Sequence, residues 1–194
     1  MNNSQFHNDS ARLKRIVALY NMIPNLFWSA INLIPIFIFC YQNMNMRLVY
    51  IFSALSLSTS LLPRKFFDNI QLGNSISVYK KIGVKFINKF TQNGDLINGL
   101  MRKKFPLYNV ISNKNLSHKK LLQQTYMVEK FHFVMLSFFT LTTIFSLLHK
   151  YFWWALVITL TNVVYNIYPN LLQQYIRIRL SSFNNKKMEL TEKL

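Results

Sequence analysis

Apolar and polar positions fall along this chain in blocks rather than in residue-by-residue alternation. Four blocks are apolar, at residues 16–41, 48–62, 131–148 and 151–172, and a hydrophilic middle occupies 64–124. A helix needs about 20 mostly apolar residues to cross roughly 30 Å of hydrocarbon. The first, third and fourth blocks meet that requirement. The second is about 22 Å long as a helix and crosses only where the bilayer thins or the flanking residues 43–47 help. The pattern predicts an all-α integral membrane protein, a single domain over residues 1–194, with about four transmembrane helices and a cytoplasmic helical segment between the second and third.

Charge then sets the orientation. The chain is 51% hydrophobic yet carries 23 Lys and Arg against 6 Asp and Glu. Such an excess suits nucleic acid, a membrane surface or an anionic substrate, so the positions of the cations must decide. Arg12, Lys14 and Arg15 precede the first block, twelve cations lie in the middle segment, and Arg177, Arg179, Lys186, Lys187 and Lys193 form the tail, while the two short turns hold only Arg47 and Lys150. With four crossings every rich segment falls on one side, which the positive-inside rule makes cytoplasmic, with both termini there. Cations that flank apolar spans do not form the exposed patch that nucleic acid requires, so no nucleic-acid partner is expected.

The fourth block carries aromatic side chains where an interface favours them, Tyr151, Phe152, Trp153 and Trp154 at one end and Tyr165, Tyr168 and Tyr175 at the other. Its first block is too long for a signal peptide and lacks a clean cleavage site, so it is expected to be retained. Cys40 is the single cysteine, which excludes an intramolecular disulfide and a cysteine-built metal site. It reads as a small apolar residue near a helix end. The chain has no glycine-rich phosphate loop, no dinucleotide fingerprint and no internal repeat.

Within the middle segment, YKKIGVKFINKF at Tyr79 to Phe90 places Tyr79, Ile82, Phe86, Ile87 and Phe90 on one helical face and Lys81, Lys85 and Lys89 on another. That predicts a basic amphipathic helix, lying either in anionic headgroups or against the ends of the spans. A basic turn, RKKFP at Arg102 to Pro106, follows. These cations either determine topology or meet the phosphates of an acyl carrier or coenzyme A.

Candidate chemistry is concentrated at two places. Of the six acids, only Glu129 adjoins an apolar block. On a helix Thr125, Glu129 and His132 share one face, with Glu129 and His132 three apart. A carboxylate there can fix the tautomer of the imidazole, making His132 a general base toward a hydroxyl. The same pair can equally be two interfacial groups that satisfy each other. A metal would need ligands that the other spans do not supply, so none is expected.

The second place is NIYPNLLQQYIRIR, Asn166 to Arg179. Asn162, Asn166, Pro169, Asn170, Gln173 and Arg177 lie within about 100° on the wheel, and Tyr165, Tyr168, Leu172, Tyr175 and Arg179 make a second stripe. Amides facing lipid are costly, so the polar stripe is expected to face other helices. Its expected partner is the Thr125, Glu129, His132 face, the two making a polar pocket below the cytoplasmic headgroups. Arg177 and Arg179 either bind a carboxylate or phosphate there or snorkel as positive-inside anchors.

TYMVEKFH at Thr125 to His132, followed by NIYPNLLQQYIRIR, resembles the glycosyl-4,4'-diaponeurosporenoate acyltransferase family of bacterial membrane proteins. The likeness extends loosely back to LLPRKFF at Leu61 to Phe67 and covers residues 61–180. Where that family commonly has Gln-Arg-Tyr-Asn, this chain has Gln173, Gln174, Tyr175 and Ile176, a departure that bears on substrate identity more than on fold.

The resemblance implies a multi-pass enzyme of the bacterial cell membrane that esterifies a sugar hydroxyl of a carotenoid glycoside with a fatty acyl chain. It implies His132 and Glu129 as the catalytic pair and Thr125, Asn166, Gln173, Tyr175, Arg177 and Arg179 as substrate-binding residues. The partners are then membrane lipid, an amphiphilic glycoside acceptor and an acyl donor. The co-substrate is an acyl-CoA or acyl-carrier-protein thioester, and no cofactor is bound. A non-catalytic membrane scaffold or assembly protein remains the alternative, whereas a transporter would need an ionisable residue deep in a span.

Overall fold

The computed structural model describes residues 3–84 and 118–192, together with Gly99 and Lys103. Its regular structure is helical throughout, with no strand among the described residues. Seven α-helices can be bounded among the described residues: α1 (Asn3–Asn43), α2 (Met46–Ser58, continued by a 3₁₀ turn Thr59–Leu61), α3 (Arg64–Asn69), α4 (Ile76–Lys81), α5 (His118–Leu148), α6 (Phe152–Asn162) and α7 (Tyr168–Glu192). A π-helical turn, Val163–Ile167, joins α6 to α7 without a break.

Three helical stretches, Leu26–Asn43, His118–Leu148 and Phe152–Ser182, are long and apolar enough to cross a membrane, and the shorter Met46–Leu61 is apolar as well. The helices outrun the apolar blocks read from the sequence, because a helix ends where its backbone hydrogen bonds end rather than where hydropathy falls. The fourth therefore continues well past residue 172. Large apolar side chains cover the outside, with Phe37 68%, Tyr50 71% and Trp153 73% exposed. A surface of that kind has its natural solvent in hydrocarbon rather than water.

Both short turns lie at one end of the bundle. Asn45 caps α2 by accepting from the Arg47 amide at 2.9 Å. Helix α5 ends in a Schellman turn in which the Tyr151 amide donates to the Ser146 carbonyl and the Lys150 amide to that of Leu147, with Lys150 at φ 63°. Phe39 of α1 meets Tyr151 and Trp154 at ring-centroid distances of 5.8 and 5.7 Å, which brings the two turns together. Below them Ile36, Phe39, Met44, Phe139 and Ile158 form the apolar core.

At the other, basic end, α3 and α4 fold back onto α5 and α7. Tyr79 and Val84 are buried with Leu172 and Tyr175 in a second small core. The expected helix over residues 79–90 is interrupted in its described part. Helix α4 ends at Lys81 because Gly83 adopts φ 79°, a left-handed conformation that stops the helix. Tyr79 packs against Leu172 and Tyr175, in line with the alternative in which this segment lies against the ends of the spans. Residues 85–90, and the RKKFP turn apart from Lys103, lie outside the described residues.

Candidate functional site

The π-turn is what aims the polar stripe. Pro169 has no N–H to donate to the carbonyl of residue 165, and its ring crowds that carbonyl. The backbone widens one turn earlier, where the Tyr168 amide donates to the Val163 carbonyl, and the helix continues. Asn166 sits inside this turn, fully buried. Its Nδ2 donates to Asn162 Oδ1 at 2.8 Å, and Asn162 Nδ2 in turn reaches the Leu136 carbonyl and the Thr140 hydroxyl of α5 at 3.4 and 3.3 Å. The asparagines thus form a polar ladder directed at α5, as amides inside an apolar bundle must.

His132 stands opposite this turn. Its ring lies edge-on to Tyr165, with centroids 5.7 Å apart, and faces the Asn166 side chain. Neither His132 Nδ1 nor Asn166 Oδ1 completes a hydrogen bond, although both are buried, and Asn170 Oδ1 is in the same condition. Unfilled buried polar atoms are rare in native structures, and they often mark a place where water, an ion or a substrate belongs.

Glu129 turns the other way. It is 1% exposed. Oε1 accepts from Gln174 Nε2 at 2.9 Å, and Oε2 pairs directly with Arg177 NH1. The expected contact between Glu129 and His132 is not made: Gln174 and Arg177 take the carboxylate, while the His132 ring lies against Tyr165.

Arg177 is itself 5% exposed. NH2 donates to Gln71 Oε1 at 3.2 Å, Nε lies 3.8 Å from Asp68 Oδ1, and the guanidinium carbon sits 4.3 Å from the centroid of the Tyr126 ring. Two of its nitrogens are thus taken by Glu129 and Gln71, while Nε, buried without a hydrogen bond, has only the longer contact with Asp68. The cluster is tied back to the chain's middle. Tyr126 donates to Asp68 Oδ1 at 2.6 Å, and Gln174 Oε1 accepts from both the Leu72 amide and the Tyr79 hydroxyl. Burial holds the Tyr79 phenol above its ordinary pKa, so it remains a donor.

Beside the cluster opens a cleft of about 360 Å³, lined by Asp68, Gln71, Asn74, Tyr126, Arg177 and Ser181 among others. Among the described residues lining the cleft, Asp68 balances Arg177, and Arg64 lies over the Tyr126 ring of its wall, 5.5 Å from the centroid. Amides, hydroxyls and a half-exposed carboxylate suit hydroxyl groups better than a second anion.

The remaining expected residues do not join the site. Thr125 is buried and donates to its own helix at the Leu122 carbonyl, 2.7 Å away. Tyr175 packs against Tyr79 in the small core. Gln173 is half-buried and forms no hydrogen bond with a described residue, and Arg179 is exposed. Gln174, Gln71 and Asp68 were not singled out in the sequence. A signal existed for Gln174, which lies three residues before Arg177 and so on its face. Nothing local pointed to Gln71 or Asp68, which reach Arg177 across 106 and 109 residues. No group of three or more His, Cys, Asp or Glu able to hold a metal ion occurs among the described residues.

A family model described as glycosyl-4,4'-diaponeurosporenoate acyltransferase matches residues 63–186, which contain α3, α4, the cleft, Glu129, His132 and the π-turn. No curated protein and no solved structure matches the chain significantly.

Proposed function

The chain belongs to the glycosyl-4,4'-diaponeurosporenoate acyltransferase family, and from that premise we propose that it esterifies a hydroxyl of a glycosylated lipid or carotenoid with a fatty acyl chain at the cytoplasmic edge of a bacterial cell membrane. The donor is an acyl-CoA or acyl-carrier-protein thioester. The observation that carries the site assignment is the pair of buried atoms without a hydrogen bond, His132 Nδ1 and Asn166 Oδ1, on side chains that adjoin at the π-turn.

With Nδ1 protonated and directed at Asn166 Oδ1, the lone pair of His132 is on Nε2. Nε2 then takes the proton of the acceptor hydroxyl as its oxygen attacks the thioester carbonyl. The tetrahedral intermediate collapses with cleavage of the C–S bond. The imidazolium returns the proton to the departing thiolate, leaving an ester and a free thiol. In this reading Glu129 is not a catalytic group. It holds Arg177 and Gln174, and through them the wall of the cleft in which the sugar head rests. The balance of Asp68 against Arg177 in the lining supports a neutral glycosyl head there, with the donor's phosphates bound elsewhere.

The test is mass spectrometry of lipid extracts from a host that makes a carotenoid glycoside, expressing the wild type, His132→Gln or Asn166→Ala at matched membrane levels. Loss of a general base lowers transfer by about 10²–10⁴-fold. The acylated glycoside is expected with the wild type, near background with His132→Gln, and reduced with Asn166→Ala. Equal product from wild type and His132→Gln would remove His132 from the chemistry. No acylated glycoside from folded wild type would leave the scaffold reading in its place.

A further inference from the structure

A second cavity, of about 310 Å³, opens between α1, α2 and α5. It lies within the size range of small-molecule sites, about 300–1,000 Å³. Its wall is apolar, including Ile36, Cys40, Val49 and Met135, apart from two serines, Ser53 and Ser56. The serines are not equivalent. Ser53, Ser58 and Thr59 each donate to a carbonyl of their own helix, at 2.7, 2.7 and 2.6 Å. Ser56 is 1% exposed, and its hydroxyl has no hydrogen-bond partner among the described residues. A serine in an apolar helix ordinarily bonds back to its own carbonyls, so a free buried hydroxyl at a cavity wall is available to a ligand.

Polarity is ordered along the groove. Helix α2 runs from the turn end to the basic end, so Val49 and Ser56 stand at opposite ends, about 10 Å apart at 1.5 Å per residue. A slot with one free hydroxyl at one end and hydrocarbon along the rest matches an alkyl chain headed by a single carbonyl. Its polar end is also close to the proposed chemistry. Met135 is one helical turn from His132 on α5. Tyr165, packed on the His132 ring, hydrogen-bonds at 3.0 Å to Ser29 of α1, one turn from the groove residue Leu33.

We infer that this groove binds the fatty acyl chain of the thioester donor, with Ser56 Oγ donating to the carbonyl at its head and the chain running toward Cys40. A saturated chain bends to follow a short slot between three helices, whereas a long conjugated acceptor is stiff and is better accommodated along the open lipid face. The inference rests on the acyl-transfer reading, but its test reads binding and not transfer.

The full chain in phosphatidylcholine nanodiscs is irradiated with a palmitoyl-CoA carrying a diazirine on its chain, and labelled peptides are identified by mass spectrometry. Label is expected on α2 and α5 at the groove, reduced about tenfold by excess unlabelled palmitoyl-CoA. It should fall by a similar factor in Ser53→Trp, which fills the slot. Ser56→Ala, which keeps the packing, should weaken the competition about fivefold, the worth of one hydrogen bond. Equal groove labelling by a diazirine phosphatidylcholine, undisplaced by palmitoyl-CoA, would overturn the inference and make the slot a lipid seam. Label confined to other helices would overturn it as well. Specific groove labelling without any ester product would keep the groove and discard the transfer reading.

Discussion

Replacing Glu129 and Arg177 singly and together tests whether the cluster at the basic end is a buried ion pair that neither partner can leave alone. Both side chains are almost fully buried, at 1% and 6% relative exposure, and they are in direct contact. Removing one member of such a pair strands the other charge and costs about 3–5 kcal/mol. Glu129→Leu leaves Arg177 with Gln71, the Tyr126 face and a half-exposed Asp68 at 3.8 Å, which places it at the lower end. Arg177→Met leaves Glu129 only Gln174, which places it at the upper end.

The double variant strands no charge. It loses the acceptor of Gln174 and the donor to Gln71, a cost of about 1–3 kcal/mol, far below the about 6–10 kcal/mol expected if the single costs added. Thermal unfolding of the purified protein in mild detergent is the assay. At about 2–4 °C per kcal/mol for a chain of this size, each single variant should lose on the order of 6–20 °C, with Arg177→Met the worse, and the double should recover much of that loss. Additive losses in the double variant, or a loss below 2 °C for Glu129→Leu, would refute the buried-pair reasoning.

Two further outcomes follow from local structure. Pro169→Ala restores an amide to the helix and removes the reason for the π-turn, so thermal stability should hold or rise while acyl transfer falls on the order of 10²-fold, as His132 and Asn166 lose register; unchanged transfer in the lipid-extract assay would count against that register. Tyr79 has a raised pKa in the folded protein, so its contribution to stability is complete below about pH 10, the ordinary tyrosine value, and is lost as pH rises through the folded value. Denaturation from pH 8 to 11 should show this loss in the wild type, and Tyr79→Phe should flatten that part of the profile while costing about 0.5–1.5 kcal/mol at neutral pH.

Much of the site was legible because its ingredients are anomalous in their surroundings. A glutamate adjoining an apolar block, a histidine one turn on, and asparagines with a proline inside another block each carry a desolvation cost that demands a partner. That logic singled out Glu129, His132 and Asn166, and the helical wheel added Arg177. It could not choose among the partners. Glu129 and His132 share a helical face, yet the carboxylate goes to Arg177 because a guanidinium and an amide from α7 reach it, while His132 goes to the π-turn.

The sequence by itself determined the helical class, the apolar blocks and the polar positions that interrupt them, because those depend on runs and periodicities that a single helix reads locally. Only the tertiary structure decided that Tyr79 is buried against Leu172 and Tyr175, that Asp68 and Gln71 enclose Arg177 from more than a hundred residues away, and that Ser56 is left with a free hydroxyl over an apolar slot. Those features arise where separate helices meet, and a contact between distant elements leaves no period in the chain that forms it.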